Sequence, residues 1–292
     1  MGSEMCIRDR TYTVNEMCAA LKISESGYYR WLKNRDKISK RQLLLVEIKK
    51  ILEQHPDNDN YGVKRIHTAL EQKGIKTSCR TVYRAMKEGG YLHKRRVSHG
   101  ITKANTEVQE KENLLKQDFR SEEPFRKFLT DITEVPCRDG KLYVSPVMDC
   151  FNGEIVALEM RDNMKKELCI DTVKQLKRKY GKQIGGAILH SDRGSQYTSE
   201  GFREELAKMK LVQSLSGVNH CYDNARMESF FATLKKEKLY RIPTYRMSRE
   251  EVKTVIFRYI FGYYNTIRVN SFNPHGLPPA KMRTGGTGGM AA

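Results

Sequence analysis

ILHSDRGSQY, Ile188 to Tyr197, and YDNARMESFFATLKKE, Tyr222 to Glu237, are the stretches on which the reading of this chain turns. Apolar Ala187, Ile188 and Leu189 predict a short buried strand. Such a strand delivers Asp192 into the polar loop of Ser191, Asp192, Arg193, Gly194 and Ser195. In the second stretch Asp223 reads as a helix N-cap, its carboxylate accepting free amide protons of the first turn. Met227, Phe230, Phe231 and Leu234 then recur at i, i+3, i+4 and i+7, which makes a core-facing stripe. Glu228 follows Met227 by about 100° around a helix, at the edge of that stripe. A strand-end aspartate and a helix-borne glutamate, with 35 residues between them, are thus set to meet. Upstream, FLTDITEV (Phe128 to Val135) supplies a third carboxylate, Asp131, on another apolar strand.

Around these stretches the texture alternates. Strand patterns occur at Phe128 to Val135, Leu142 to Met148 and Ile155 to Met160, and RDGK (Arg138 to Lys141) joins the first two as a hairpin. A helix over Lys166 to Tyr180, a strand over Gly185 to His190, a helix over Ser199 to Met209 and a strand over Leu211 to Leu215 follow. Strands first, then alternating helix and strand, predict an α/β mixed sheet with helices on both faces. We place this core at 125–240, a helical extension led by the aromatic-rich Arg249 to Tyr264 at 241–284, and a Gly-rich flexible tail at 285–292.

The region before the core reads as all-α. Residues 11–38 hold two short helices, Asn15 to Leu21 and one capped by Ser24, which read equally as part of a helix-turn-helix or as a small packing element. Residues 39–98 carry a clearer pattern, beginning with Leu44, Ile48, Ile51 and Leu52. After HPDNDN (His55 to Asn60), a helix, a turn at Gly74 and a second helix capped by Thr77 or Ser78 run to a stop at Gly89 and Gly90. The second helix buries Val82 and Met86 and turns out Arg80, Arg84 and Lys87, with Lys94, Arg95 and Arg96 just beyond. A helix-turn-helix sets such a face against DNA phosphates and guanine edges; a solvated basic face is the other reading of the same charges. Residues 99–124 read as a polar linker with a helical patch around Lys111 to Phe119.

Bulk composition narrows the classes. A net charge of +18, from 53 Lys and Arg against 35 Asp and Glu, points to a polyanionic partner. The seven cysteines are dispersed without a paired metal-binding spacing, which argues against structural zinc and for a reducing, cytoplasmic setting. No apolar run reaches the ~18 residues of a membrane span. MGSEMCIRDR, residues 1–10, resembles a leader or reading-frame scar and is set aside.

Carboxylates crowded together repel and cannot all ionise without a cation. Hard oxygen donors with open positions suit Mg²⁺ or Mn²⁺, and a pair of such ions about 4 Å apart clamps an in-line displacement at phosphorus. Spacing alone does not separate Asp131, Asp192 and Glu228 from ordinary surface acids, and Asp149 at a strand end competes with Asp131.

The motifs themselves do separate them. TDIT around Asp131, HSDRGSQY around Asp192 and DNARMESFFATLKKE around Glu228 resemble the DDE signature of integrase-core transposases. The resemblance is to the bacterial insertion-sequence family that encodes its transposase in two overlapping frames, and specifically to the second frame. It runs from about residue 14 to 283 and includes YGVKRI (Tyr61 to Ile66), RTVYRAMKEGGY (Arg80 to Tyr91) and YYNTIRVNSFNPHGLPPA (Tyr263 to Ala280).

This resemblance implies an RNase H-like core and Mg²⁺- or Mn²⁺-dependent DNA cleavage and strand transfer at element ends. It implies two ions per site, held by Asp131, Asp192 and Glu228, with Lys235 on the terminal DNA backbone. Lys235 reads equally as a solvated helix lysine; Arg193, Ser195 and Gln196 would contact phosphate or only shape their loop, and Asn224 would support Glu228 by hydrogen bonding or serve as a cap or surface residue. Partners expected on the same ground are the terminal repeats, target DNA, further copies of the chain on DNA, and the upstream-frame product by fusion or cooperation. The chain shows no sustained heptad pattern of its own. A nucleoid-associated cytoplasmic protein is expected. A non-catalytic DNA-binding regulator or a decayed copy remains the alternative, as does a nuclease that hydrolyses without joining.

Overall fold

The computed structural model describes residues 12–35, 39–92, 113–115, 118–217 and 221–285. The chain opens with α1 (Val14–Ala20) and α2 (Glu25–Asn34), capped by the hydroxyls of Thr13 and Ser24. This pair stands largely in solvent, for Cys18 is its buried residue and α2 buries none.

Three helices follow: α3 (Lys40–Glu53), α4 (Val63–Gln72) and α5 (Cys79–Glu88). Their stripes meet in one core of Leu44, Ile48 and Ile51, of Ile66 and Leu70, and of Val82, Ala85 and Met86. Gly74, at φ +76°, makes the left-handed turn between α4 and α5 that a side chain with a Cβ resists. Ser78, one of the two expected caps, accepts the Thr81 N–H at 3.2 Å.

The remaining elements are β1 (Lys127–Thr130), β2 (Thr133–Cys137), β3 (Gly140–Asp149), β4 (Ile155–Arg161), α6 (Lys166–Tyr180), β5 (Ile188–Ser191), α7 (Ser195–Thr198), α8 (Glu200–Lys208), β6 (Val212–Leu215), α9 (Ala225–Glu237), α10 (Arg249–Phe257) and α11 (Pro279–Gly285). They build a six-stranded mixed sheet. β1, β5 and β6 run parallel, and β3 lies antiparallel to β1, β2 and β4.

The strand expected over Phe128 to Val135 is divided at Asp131 and Ile132. Both halves keep one register on β3, with Thr130 opposite Val147 and Thr133 opposite Val144, so Asp131 falls opposite Pro146. Proline has no N–H to give the ladder, and the pairing lapses there. Asp131 is thereby released from the sheet at the point where the chain carries it past β5.

Alternation along β1 sends Phe128 to one face and Leu129 to the other. On the first face Phe128, Val147 and Leu189 pack with Val173 and Leu176 of α6 and Phe202 and Leu206 of α8. On the second, Leu129 and Met148 meet Met227, Phe230 and Leu234 of α9 and Ile256 of α10. The helix expected over Arg249 to Tyr264 is continuous, its last part, Arg258–Tyr264, being π-helical.

One expectation needs correction here. The helical patch around Lys111 to Phe119 is not helical in its described residues. There Leu114 donates its N–H to the Ser214 hydroxyl at 3.0 Å instead of to a helix ladder. The helices of the helix-turn-helix region share one buried cluster with Leu129, Tyr259 and Tyr263 of the core and extension. No helix of the described residues is long and apolar enough to cross a membrane.

Candidate active site and nucleic-acid interface

β1 and β5 are parallel neighbours, with Leu129 opposite His190. Continuing that offset two residues puts Asp131 across from Asp192, each just past the C-terminal end of its strand. Backbone amides hold both: Ile132 N–H donates to Asp131 Oδ1 at 2.8 Å, and Gly194 N–H donates to Asp192 Oδ1 at 3.0 Å. Helix α9 crosses the second face of the sheet, and Asn224, just ahead of it, donates its amide to the Thr130 carbonyl at 3.1 Å. That bond ties the start of α9 to the residue before Asp131. Glu228 stands exposed in the first turn of α9, where the helix dipole favours an anion.

Asp131 is pushed up to about 7. Burial is the largest cause; the Ile132 amide opposes it, the charges of Asp192 and Glu228 add to it, and Lys235 works against it. The three carboxylates and Lys235 therefore share one field, although they come from two strand ends and a helix. Among the described residues no three His, Cys, Asp or Glu side chains are gathered closely enough to enclose one ion as they stand. The donors are all hard oxygens, the chemistry that suits a divalent ion such as Mg²⁺ or Mn²⁺.

The neighbouring polar residues sort differently. Asp149, the competitor of Asp131, is fully enclosed and accepts N–H bonds from Phe125 and Phe151, both at 3.0 Å. Burial pushes it up to about 6, and it is spent on holding the chain. His190 is enclosed between the hydroxyls of Ser214, 2.8 Å from Nδ1, and Ser216, 3.1 Å from Nε2. Burial pushes it down to about 4, so it is a neutral support beneath the Asp192 loop. Arg193 donates Nε–H to the Ser216 carbonyl at 2.8 Å, which shapes that loop.

Asp223 and Asn224 depart from expectation. Asp223 is not the N-cap: it lies in a 3₁₀ turn, Cys221–Asn224, and its carboxylate is taken by the Gly217 N–H at 2.9 Å and the Asn113 amide at 2.8 Å. Asn224 supports α9 through Thr130, not through Glu228, because it precedes the helix rather than lying one turn along its face.

On α5, Arg80, Arg84 and Lys87 are exposed along one face, with Tyr83, which sequence reading passed over, exposed among them. Its position three residues after Arg80 was visible in the spacing. Lys94, Arg95 and Arg96 lie outside the described residues.

A second group escaped the sequence reading altogether. Glu237, the last residue of α9, is buried and receives Arg268 in a bidentate pair, Nε to Oε2 and Nη2 to Oε1, both at 2.8 Å. Arg65 of α4 reaches Glu237 Oε1 at 2.8 Å, and the Tyr259 hydroxyl donates to Oε2 at 2.9 Å. Around this centre Lys238 pairs with Asp57 at 2.8 Å, and Tyr263 donates its hydroxyl to the Asp57 carbonyl at 2.9 Å. The helix-turn-helix region is fastened here to the end of the helix that carries Glu228.

Residues 121–221 and 228–285 match family models described as "Integrase core domain", and residues 39–99 match one described as "HTH-like domain". Transposase InsF for insertion sequence IS3A of Escherichia coli (strain K12) is 31% identical over 273 residues, covering 89% of this chain and 91% of that one. A 31 kDa protein of insertion element IS600 from Shigella sonnei is 34% identical over 259 residues, covering 87% and 93%. Among solved structures, the HTLV-2 integrase catalytic core domain in complex with magnesium aligns with TM-score 0.41 at 16% identity, over 55% of this chain and 97% of that one.

Proposed function

Because this chain belongs to the family of integrase-core insertion-sequence transposases, we propose that it is a catalytic subunit that cuts DNA at the ends of such an element and joins them to new DNA. The observation that supports this reading is that Asp131 and Asp192 stand across from each other, each just past the end of its parallel strand, with Glu228 in the first turn of α9 and its charge felt at Asp131. Asp131 and Asp192 would hold divalent ions, Mg²⁺ or Mn²⁺, between them, and Glu228 would complete one of two positions. When bound, such ions activate the attacking oxygen and steady the leaving one.

The rest falls to the chain itself. In cleavage a water oxygen bonds to phosphorus and the 3′-oxygen departs with the bond's electron pair, leaving a free 3′-hydroxyl. In joining, that hydroxyl attacks a second phosphodiester and one P–O bond replaces another, so no outside energy source is required. Lys235, half-buried and within the field of Asp131, would hold the backbone of the terminal DNA. The exposed face of α5, with Arg80, Arg84 and Lys87, would grip duplex DNA by phosphate neutralisation, and Arg193 would shape the loop beside the scissile strand. Work on two DNA ends calls for more than one copy of the chain, and we assign terminal-repeat recognition to cooperation with the upstream-frame product.

The test uses labelled element-end duplex and Mg²⁺ with the chain fused to its upstream frame. Glu228→Gln keeps the helix and the side-chain volume and removes a carboxylate. Cleaved and branched joined products should disappear while duplex binding persists. A Glu228→Gln protein that still joins ends would sink the assignment, and nicks without joined product would make the chain a nuclease.

A further inference from the structure

Helix α9 has a carboxylate at each end of its working length. Glu228 lies in the first turn and Glu237 is the last residue, about 14 Å apart along the axis at 1.5 Å per residue. At its start the helix is fixed to the sheet by Asn224 on the Thr130 carbonyl and by Arg226, whose Nη1 donates to the Phe119 carbonyl at 2.9 Å and the Cys150 carbonyl at 2.5 Å. At its end it is fixed by Glu237, gripped by Arg268 of the extension and Arg65 of the helix-turn-helix unit. Tyr61, one turn before Arg65, accepts the Val269 N–H on its hydroxyl at 2.8 Å, and the Arg65 guanidinium lies 5.8 Å from the Tyr61 ring centre. Gln72, at the far end of α4, donates to the His275 carbonyl at 2.7 Å. Gly276 is approached so closely that a Cβ there would meet the Thr68 methyl at 2.5 Å. Helix α4 is thus held along its length, and Arg65 is its charged contact with α9.

A helix held at one end can still rock and rotate about that point, and a small rotation displaces side chains in the first turn. We infer that Arg65 is a positioning residue for Glu228: gripping Glu237 from α4 while Arg268 holds it from the extension, it adds the second tie that fixes the rotation of α9, and so sets how Glu228 faces Asp131. The inference rests on the carboxylate-site reading given above. It makes the helix-turn-helix unit part of the frame of the ion site rather than a separately tethered reader of DNA.

The experiment titrates MnCl₂ into the full chain and follows free Mn²⁺ by electron paramagnetic resonance, without DNA and without turnover. Four proteins are compared: the unaltered chain, Arg65→Met, Arg65→Lys and Glu228→Gln. Arg65→Met leaves the Arg268–Glu237 pair whole, and should weaken Mn²⁺ binding by about threefold to tenfold, at or below the cost of removing a direct hydrogen-bond partner of a metal ligand. Arg65→Lys should recover most of the loss, since it restores the charge opposite Glu237. Thermal midpoints are recorded alongside. Should Arg65→Met not fold, Arg65→Gln, which keeps a donor toward Glu237, takes its place.

Unchanged Mn²⁺ affinity in Arg65→Met, with a lowered midpoint and a weakened Glu228→Gln control, would make Arg65 a structural tie only and overturn the inference. A Glu228→Gln protein that binds Mn²⁺ as the unaltered chain does would overturn the carboxylate-site reading, and the inference with it.

Discussion

The two ends of α9 place the same functional group in opposite circumstances. Glu228 stands exposed at the favourable end of the helix dipole, beside two other acids. Glu237 is buried at the unfavourable end, between two guanidinium groups and a tyrosine hydroxyl. Burial alone would push Glu237 up, yet the hydrogen bonds and charge of Arg268, then Arg65 and Tyr259, hold it at about 2. Asp131 lacks such partners and is left at about 7. The two directions separate two kinds of site. A carboxylate held low has its countercharges built into the protein and is part of the frame. A raised one needs its contacts to tell it apart: Asp149 is also raised by burial, but its oxygens are taken by the amides of Phe125 and Phe151, whereas Asp131 sits beside other acids. The helix dipole, worth at most about 2 kcal/mol, does not decide either case.

The frame end should break hardest. Glu237→Gln leaves Arg268 buried without a counterion, and breaking such a pair costs about 3–5 kcal/mol. We expect that loss in urea denaturation at pH 7, with the contacts of α4 loosened first. Because Glu237 is depressed in the fold, its contribution is fully present above the unfolded carboxyl value of ~4.3 and is lost as pH falls toward about 2. The gap between the two proteins should therefore close between pH 4 and 2, on the order of that window. A gap unchanged at low pH would mean that packing, not charge, holds the joint.

The site end should respond with the opposite sign. Asp131 is raised in the fold, so ionising it costs stability progressively from the unfolded value of ~3.9 up to about 7. Asp131→Asn stays neutral throughout. In a chelator at pH 8 it should be the more stable protein by about 1–2 kcal/mol, discounted because Asp131 is partly exposed. The advantage should vanish below ~pH 4 and shrink when Mg²⁺ is added at pH 8. Thermal melts at the two pH values measure it. A less stable Asp131→Asn at pH 8 would mean that the lost Ile132 contact outweighs the relieved repulsion.

Sequence legibility divides along the same helix. The strand ending near Asp192 and the stripe that aims α9 follow from short-range apolar pattern, which is why Glu228 was found at the stripe's edge. The break that frees Asp131 was not legible, because it depends on Pro146 arriving opposite through strand register. Asp223 carries the right chemistry for a cap, but Asn113, 110 positions away in sequence, claims its carboxylate. Arg65, Glu237 and Arg268 lie on separate elements with no shared period. Their joint exists only once α4 docks on the extension, and so the contact between the helix-turn-helix region and the end of α9 was not legible in the sequence.

The smallest effect tests whether docking through α4 leaves α5 free to meet DNA. Arg65 faces inward to Glu237, whereas Arg84 is exposed on the opposite partner of the same helix pair. If α5 lies on a duplex, Arg84→Ala removes one phosphate contact, and the slope of log affinity against log salt should flatten by about one, near 0.9 per neutralised phosphate. The affinity loss itself should be modest and nearly uniform across sequences, because a phosphate contact carries no base information. Fluorescence anisotropy on two unrelated duplexes over a salt series distinguishes the cases. A loss confined to one duplex would put Arg84 on a base edge instead, and an unchanged slope on both would mean that the basic face of α5 is turned to solvent and that DNA is held elsewhere.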